Sequence, residues 1–231
     1  MKIGICSTDF QPASENELFS RIRSFGFTCS QFSFCSISGQ EEILPKYDEE
    51  LMKRLNQAAK ENGMKCVAEI MDANHLPLYK DIDYLQVGSR NMQNITLLKA
   101  LGEQDKPVIL KRGFGSTINE WIFAAEYIVS GGNRNVTLCE RGIRTFEDST
   151  RFTLDISAIP VVKSKSNLEI IVDPCHAAGN WEYVNALAKA GLAAGADGLM
   201  IEVHNDPDHA LSDGAQSLTP ASFDRLAKEV L

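Results

Sequence analysis

The sequence predicts a single closed (βα)8 barrel of the α/β class, a TIM barrel, and three observations carry that expectation. Eight short segments of strand character alternate with amphipathic stretches from one end of the 231-residue chain to the other. Most of the strand segments read as near-continuous apolar runs, as expected where both faces of a parallel sheet are covered. No Pro/Ser-rich linker interrupts the alternation, so residues 1–231 read as one domain of a length that suits one barrel.

The strand segments are KIGIC (2–6), TCSQFSF (28–34), KCVAEIM (65–71), DYLQVGS (83–89), PVILKRG (107–113), VTLCERG (136–142), EIIVDPC (169–175) and GLMIEVH (198–204). The helix segments between them include ENELFSRIRSFG, DEELMKRLNQAAKENG, MQNITLLKALG, TINEWIFAAEYIVSGG, NWEYVNALAKAGLAAG and TPASFDRLAKEVL, with apolar residues at helical spacing and glycine near several C-termini. Ser14, Asp48, Ser116 and Thr219 stand at expected N-cap positions, where a side-chain oxygen accepts an orphan backbone N–H. The segment after the third strand is the shortest. There is no close internal repeat and no low-complexity tract.

Composition narrows the function classes. Apolar residues make up 44% and charged residues 23%, which excludes disordered and fibrous chains. Acidic residues outnumber basic ones by 31 to 23, and the net charge of -8 disfavours nucleic acid and anionic membranes as partners. No apolar run approaches membrane-spanning length, and MKIGICSTDF has no long signal-type core, so a cytoplasmic protein is expected. The six cysteines (6, 29, 35, 66, 139 and 175) include no CxxC pair and are expected to be mostly buried thiols.

In a parallel barrel, chemistry collects where strands end, and two sets of strand-end residues stand out. Strands four, five and six run into GSRNMQN with Arg90, LKRG with Lys111 and Arg112, and CERG with Arg141. Neighbouring strand ends can converge these cations on one phosphate or carboxylate. The competing use is internal ion pairing, with Glu140 beside Arg141 and Glu69 facing Lys111 across the barrel. The second set is DPCH with His176, IEVH with Glu202 and LSDG with Asp213, and barrel closure brings Cys6 at the end of strand one alongside. One thiol, one imidazole and two carboxylates form a set suited to Mn²⁺, Fe²⁺, Co²⁺ or Zn²⁺, with Mg²⁺ disfavoured by the thiolate. Read blandly, Cys6 is a small buried hydrophobe and His176 a hydrogen-bonded loop residue. Cys175 and His204 adjoin the proposed ligands, and strand alternation turns them into supporting positions.

From about residue 64 onward the sequence resembles the bacterial 3-deoxy-7-phosphoheptulonate (DAHP) synthases that open the shikimate pathway to aromatic amino acids. The segments that carry the resemblance are EIMD (69–72), LQVGSRNMQN (85–94), KPVILKRG (106–113), AAEYI (124–128), TLCERGIRTFE (137–147), DPCH (173–176) and EVHNDPDHALSDGAQSL (202–218). The resemblance implies a transferase that condenses phosphoenolpyruvate with erythrose 4-phosphate with help from a divalent metal. It makes Arg90, Lys111 and Arg141 phosphoenolpyruvate contacts, with Arg112 beside them, and His176, Glu202 and Asp213 metal ligands. Lys111 also becomes the candidate for proton transfer. Cys175 stands where the family usually has serine.

Residues 1–63 depart from that pattern. The family's Gly-Pro-Cys-Ser at the end of strand one reads GICS here, keeping Cys6 but not the proline, and the strand-two loop reads SQFSFCSISGQEE in place of a Lys-Pro-Arg-Thr segment that grips both substrates. MKIGICSTDF, NELFSRIRSFGF and QFSF resemble instead the opening units of xylose-isomerase-like sugar isomerases and epimerases. Two resemblances meeting near residue 64 point to a recombined or engineered barrel, with a divergent natural enzyme as the alternative. Three functions follow: the condensation, impaired by the altered first third; a chimeric scaffold that binds ligand with little or no turnover; and, ranked last, sugar isomerisation. The oligomeric state stays open.

Overall fold

A computed structural model describes Lys2–Cys6, Cys29–Phe32, Cys35–Ser36, Lys46–Tyr47, residues 49–210 and 212–230, and the single residues Asn16, Ser20, Arg23 and Ser24. Eight parallel strands lie within the eight expected segments: β1 Lys2–Cys6, β2 Cys29–Phe32, β3 Lys65–Glu69, β4 Tyr84–Val87, β5 Val108–Lys111, β6 Val136–Glu140, β7 Glu169–Val172 and β8 Gly198–Glu202. They pair in sequence order, and β1 pairs with β2 on one side and β8 on the other, so the strand order closes on itself. A separate two-stranded antiparallel ladder joins Cys35–Ser36 to Lys46–Tyr47. The described part is a parallel-strand α/β fold; most residues of the segment between β1 and β2 lie outside the description.

All the strands except β1 stop earlier than their segments suggested. Gly88 and Gly113 follow β4 and β5 within a residue or two, and Gly142 turns the chain after β6 with φ of 91°. After β7 the chain turns at once into a short helix, Pro174–Ala178. Its start is built from Asp173, whose carboxylate accepts the His176 N–H, and from Pro174 at the first helical position, where a missing N–H costs nothing.

The remaining helices are α1 Glu49–Glu61, α2 Ile95–Gly102, α3 Ile118–Ser130, α4 Ala158–Lys165, α6 Trp181–Ala193 and α7 Pro220–Val230, with Pro174–Ala178 as α5. A 3-10 turn over Ala73–Tyr79 takes the place of a helix after β3. The expected cap Ser116 is corrected to Thr117. The Thr117 side chain accepts from Glu120 N–H while the Glu120 carboxylate accepts from Thr117 N–H, a reciprocal capping box that the Thr-Ile-Asn-Glu spacing encodes. Thr219 does cap α7, accepting from Ser222 N–H at 3.2 Å. Ser14 and Asp48 lie outside the described residues. α4 was absent from the expected elements, because its run AIPVVKSK carries a proline and little amphipathic contrast.

The apolar side chains divide into two sets, and the division places the site. Val67, Ile109, Cys139, Ile171 and Met200 form a small interior cluster, while Leu85, Leu110, Leu138, Ile170, Val172 and Ile201 join the larger layer between strands and helices. Strand side chains alternate, so Lys111, Arg141, Asp173 and Glu202, each two residues beyond an interior residue, continue the inward face at the C-terminal end of the strands. Arg112 and Glu140 fall on the outward face. In the outer layer α3 buries Trp121, Ala125 and Ile128 on one stripe, and Trp121 donates its indole N–H to the Leu110 carbonyl. No helix among the described residues is long and apolar enough to cross a membrane.

Candidate active site

Asp173 is the centre of the site, and it was missed among the expected functional residues. Its carboxylate is fully buried, with Oδ2 3.0 Å from Lys111 Nζ and 2.7 Å from His176 Nδ1. Burial alone would favour its neutral form, but His176 and Lys111 together hold it well below the usual carboxylate range. Lys111 is itself buried, and Asp173 more than offsets the desolvation, so its pKa lies above the ordinary lysine value. Lys111 is therefore a fixed cation. Its partner is Asp173 rather than Glu69, whose carboxylate sits at the exposed rim and accepts from Gln86.

The second cluster is the one the sequence proposed. His176, Glu202 and Asp213 each place a potential ligand atom within 4.8 Å of the others. His176 Nδ1 lies 2.7 Å from Asp173 Oδ2, and its Nε2, 3.4 Å from Glu202 Oε1, faces the cluster. Burial pushes the Glu202 carboxyl up despite the neighbouring His176. Glu202 is held by Gln216, whose amide donates to Oε2, and by its own N–H, which donates to Cys175 Sγ at 3.3 Å. Cys175 thus supports the cluster, although a helical turn and not strand alternation carries it there. His204 is buried, its Nδ1 accepting from Asp206 N–H.

Asp213 is the one non-glycine residue with positive φ among the described residues, at 53°. A backbone in this region is costly for a side-chain-bearing residue, and aspartate is among the types that tolerate it. Its Oδ1 accepts from Arg151 at 2.9 Å, and the same guanidinium nitrogen reaches Gln216 Oε1 at 2.8 Å. The donor set of one imidazole and two carboxylates, with Asp173 behind the imidazole, fits a first-row divalent ion. Cys6 is in register with Glu202 across β1 and β8. Its thiol lies outside the described residues.

The expected cation set separates. Arg141 lies on the inward face, 4% exposed, and no carboxylate of the described residues lies within ion-pair distance of it. Its guanidinium carbon is 4.3 Å from the centroid of Phe152 and 4.9 Å from that of Phe114. Arg90 reaches the same Phe114 ring at 5.4 Å. Desolvation lowers the Arg141 pKa, and Nη1 is buried without a hydrogen-bond partner. Arg112 does not join them. It points outward, paired with Glu140 at 2.9 Å and Asp155 at 2.7 Å, with its Nε donating to the Ser116 carbonyl. The competing reading therefore holds for Arg112 and Glu140, whereas Arg141 has no such partner.

Comparison with known proteins follows this geometry. The model of the DAHP synthetase I family matches residues 47–230. The chain belongs to that family. The match starts at residue 47, ahead of the expected border near residue 64. A phospho-2-dehydro-3-deoxyheptonate aldolase of Thermotoga maritima is 47% identical over 180 residues, covering 78% of this chain and 53% of the relative. The chain thus spans about half the length of that protein. A 2-dehydro-3-deoxyphosphooctonate aldolase of Syntrophotalea carbinolica is 29% identical over 192 residues, 78% of this chain and 68% of the relative. Among solved structures, a truncated 3-deoxy-D-arabino-heptulosonate 7-phosphate synthase from Thermotoga maritima superposes with a TM-score of 0.89 at 39% identity, over 99% of this chain and 84% of that one.

Proposed function

We propose that the chain is a metal-dependent DAHP synthase that joins phosphoenolpyruvate to erythrose 4-phosphate, with turnover reduced by its altered strand-two loop. The observation that carries this reading is that two unlike groups stand at the C-terminal ends of neighbouring strands: the unpaired buried guanidinium of Arg141, and a three-residue ligand cluster whose His176 is tied through Asp173 to Lys111. The phosphoheptonate reaction is favoured over the phosphooctonate one by the higher identity, 47% against 29%. The strand order supports a complete (βα)8 barrel in which residues 1–63 supply the first two units and residues 64–231 the other six. A recombined origin for residues 1–63 has only their isomerase-like sequence in its favour, and isomerase chemistry has no support in the site.

Arg141 and Arg90 would take the carboxylate or phosphate of phosphoenolpyruvate, with guanidinium edges facing the anion. Lys111, paired with Asp173, supplies a second fixed positive charge beside a developing oxyanion, and its raised pKa counts against the proton-transfer role. His176, Glu202 and Asp213, with Cys6 as a fourth donor, would hold the divalent ion, one of Mn²⁺, Fe²⁺, Co²⁺ or Zn²⁺. When bound, that ion supplies Lewis-acid polarisation of the aldehyde. Fixing both substrates before reaction removes several kcal/mol of orientational cost, and the absent Lys-Pro-Arg-Thr segment weakens this for the aldose phosphate. Arg112 is dropped from the substrate set because its donors are engaged on the outer side. The test is calorimetric titration of Mn²⁺ and of phosphoenolpyruvate into wild type, His176→Ala and Arg141→Met. Metal binding should fail in the first variant and phosphoenolpyruvate binding in the second; wild-type affinities in both would reject the assignment.

A further inference from the structure

Phe152 and Phe114 stack nearly parallel, with centroids 4.9 Å apart and planes 7° off, and the Arg141 guanidinium lies against both. A buried arginine ordinarily needs a carboxylate, since a lone charge in a low-dielectric interior is costly. A carboxylate here would stabilise Arg141 but would also occupy the donors an incoming anion needs. An aromatic face offers attraction from its negative quadrupole while leaving the guanidinium edge free. The unpaired, buried Nη1 is what such an arrangement leaves behind.

The fold constructs this stack deliberately from distant parts of the chain. Ile143 and Thr153 exchange both backbone hydrogen bonds, closing the loop after β6 into a small bridge. Phe152 N–H donates to the Ala177 carbonyl at 2.9 Å, which pins the ring's backbone to the helix that carries His176. Gly142 is required beside it, because a Cβ there would stand 2.6 Å from the Phe152 Cβ. Phe114 comes from the loop after β5, and its carbonyl accepts from Arg144 N–H at 2.7 Å.

We propose that Phe152, stacked on Phe114, is a positioning residue that stands in for a counter-ion and holds the Arg141 guanidinium oriented and unpaired for an anionic substrate. The proposal rests on Arg141 as a phosphoenolpyruvate contact and deepens that reading. Phe152 acts through Arg141; the Arg151 guanidinium also lies over its ring, 5.9 Å from the centroid.

The test is equilibrium titration of phosphoenolpyruvate, and separately of inorganic phosphate, into the full chain and into Phe152→Leu, Phe152→Tyr and Arg141→Met. Phe152→Leu should weaken phosphoenolpyruvate binding by roughly tenfold, the scale of a desolvated cation–π contact, and Phe152→Tyr should stay within about twofold of wild type. Mn²⁺ affinity should be unchanged in Phe152→Leu, although general collapse of the loop would alter it through the Ala177 bond. Wild-type phosphoenolpyruvate affinity in Phe152→Leu, with binding lost in Arg141→Met, would overturn the positioning role while sparing the anion site. Wild-type affinity in Arg141→Met would overturn both. Equal loss in the leucine and tyrosine variants would also overturn it, since tyrosine retains the aromatic face.

Discussion

Replacing Asp173 by asparagine isolates the charge at the centre of the site. Asparagine keeps an oxygen to cap α5 at His176 N–H, so the capping bond survives, while Oδ2, the atom facing Lys111 and His176, is replaced by an uncharged NH2. Lys111 then remains an ammonium in a buried position, 6% exposed at its side chain, without the carboxylate now 3.0 Å away. Breaking a buried pair by removing one partner costs about 3–5 kcal/mol. For a chain of this size each kcal/mol lowers the midpoint by about 2–4 °C, so a fall of roughly 10 °C is expected. Urea denaturation of wild type, Asp173→Asn, Lys111→Met and the double variant measures it. The double variant should recover more than half of the loss, because both charges are then gone. A penalty in Asp173→Asn below about 1 kcal/mol, or a double variant as unstable as the sum of the singles, would refute the claim that Asp173 and Lys111 depend on each other.

Arg112→Met should destabilise by about 3 kcal/mol in the same denaturation assay, since it strands Glu140, yet leave phosphoenolpyruvate affinity unchanged by calorimetry. Asp155 is partly buried, which favours its neutral form, but Arg112 hydrogen bonding holds its pKa below the ordinary value. Its contribution is complete above the unfolded carboxylate pKa near 4 and is lost as pH falls through the lower folded value, so the stability gap between Asp155→Asn and wild type should narrow as pH falls below about 4. Gly142→Ala meets both a φ of 91° and the close Phe152 Cβ and should cost about 1–3 kcal/mol, read by thermal melting; a neutral result would place the loop differently.

Alternation along the strands made more of the site legible than motif reading used. Ile109, Cys139, Ile171 and Met200 face the interior, so Lys111, Arg141, Asp173 and Glu202 follow two residues on, and the same count sends Arg112 outward. Asp173 was also marked by Asp-Pro at a strand end, a helix-start signal that the longer strand segment EIIVDPC concealed. The grouping of His176, Glu202 and Asp213 was readable because these residue types fall at strand ends and in the following loop. Arg151 was not, because it acts through a partner far along the chain: Arg151 and Asp213 are 62 residues apart. The left-handed backbone of Asp213 has no sequence mark comparable to a glycine.

Steady-state loss of phosphoenolpyruvate in the presence of erythrose 4-phosphate decides whether the site catalyses the metal-dependent condensation. It is measured on metal-stripped chain, on chain reloaded with Mn²⁺, and on chain carrying Lys-Pro-Arg-Thr rebuilt in the loop after Phe34. The account predicts slow turnover that disappears on chelation, returns with metal and rises after loop repair. Turnover indifferent to chelation, or none with metal and both substrates even in the repaired chain, would contradict it.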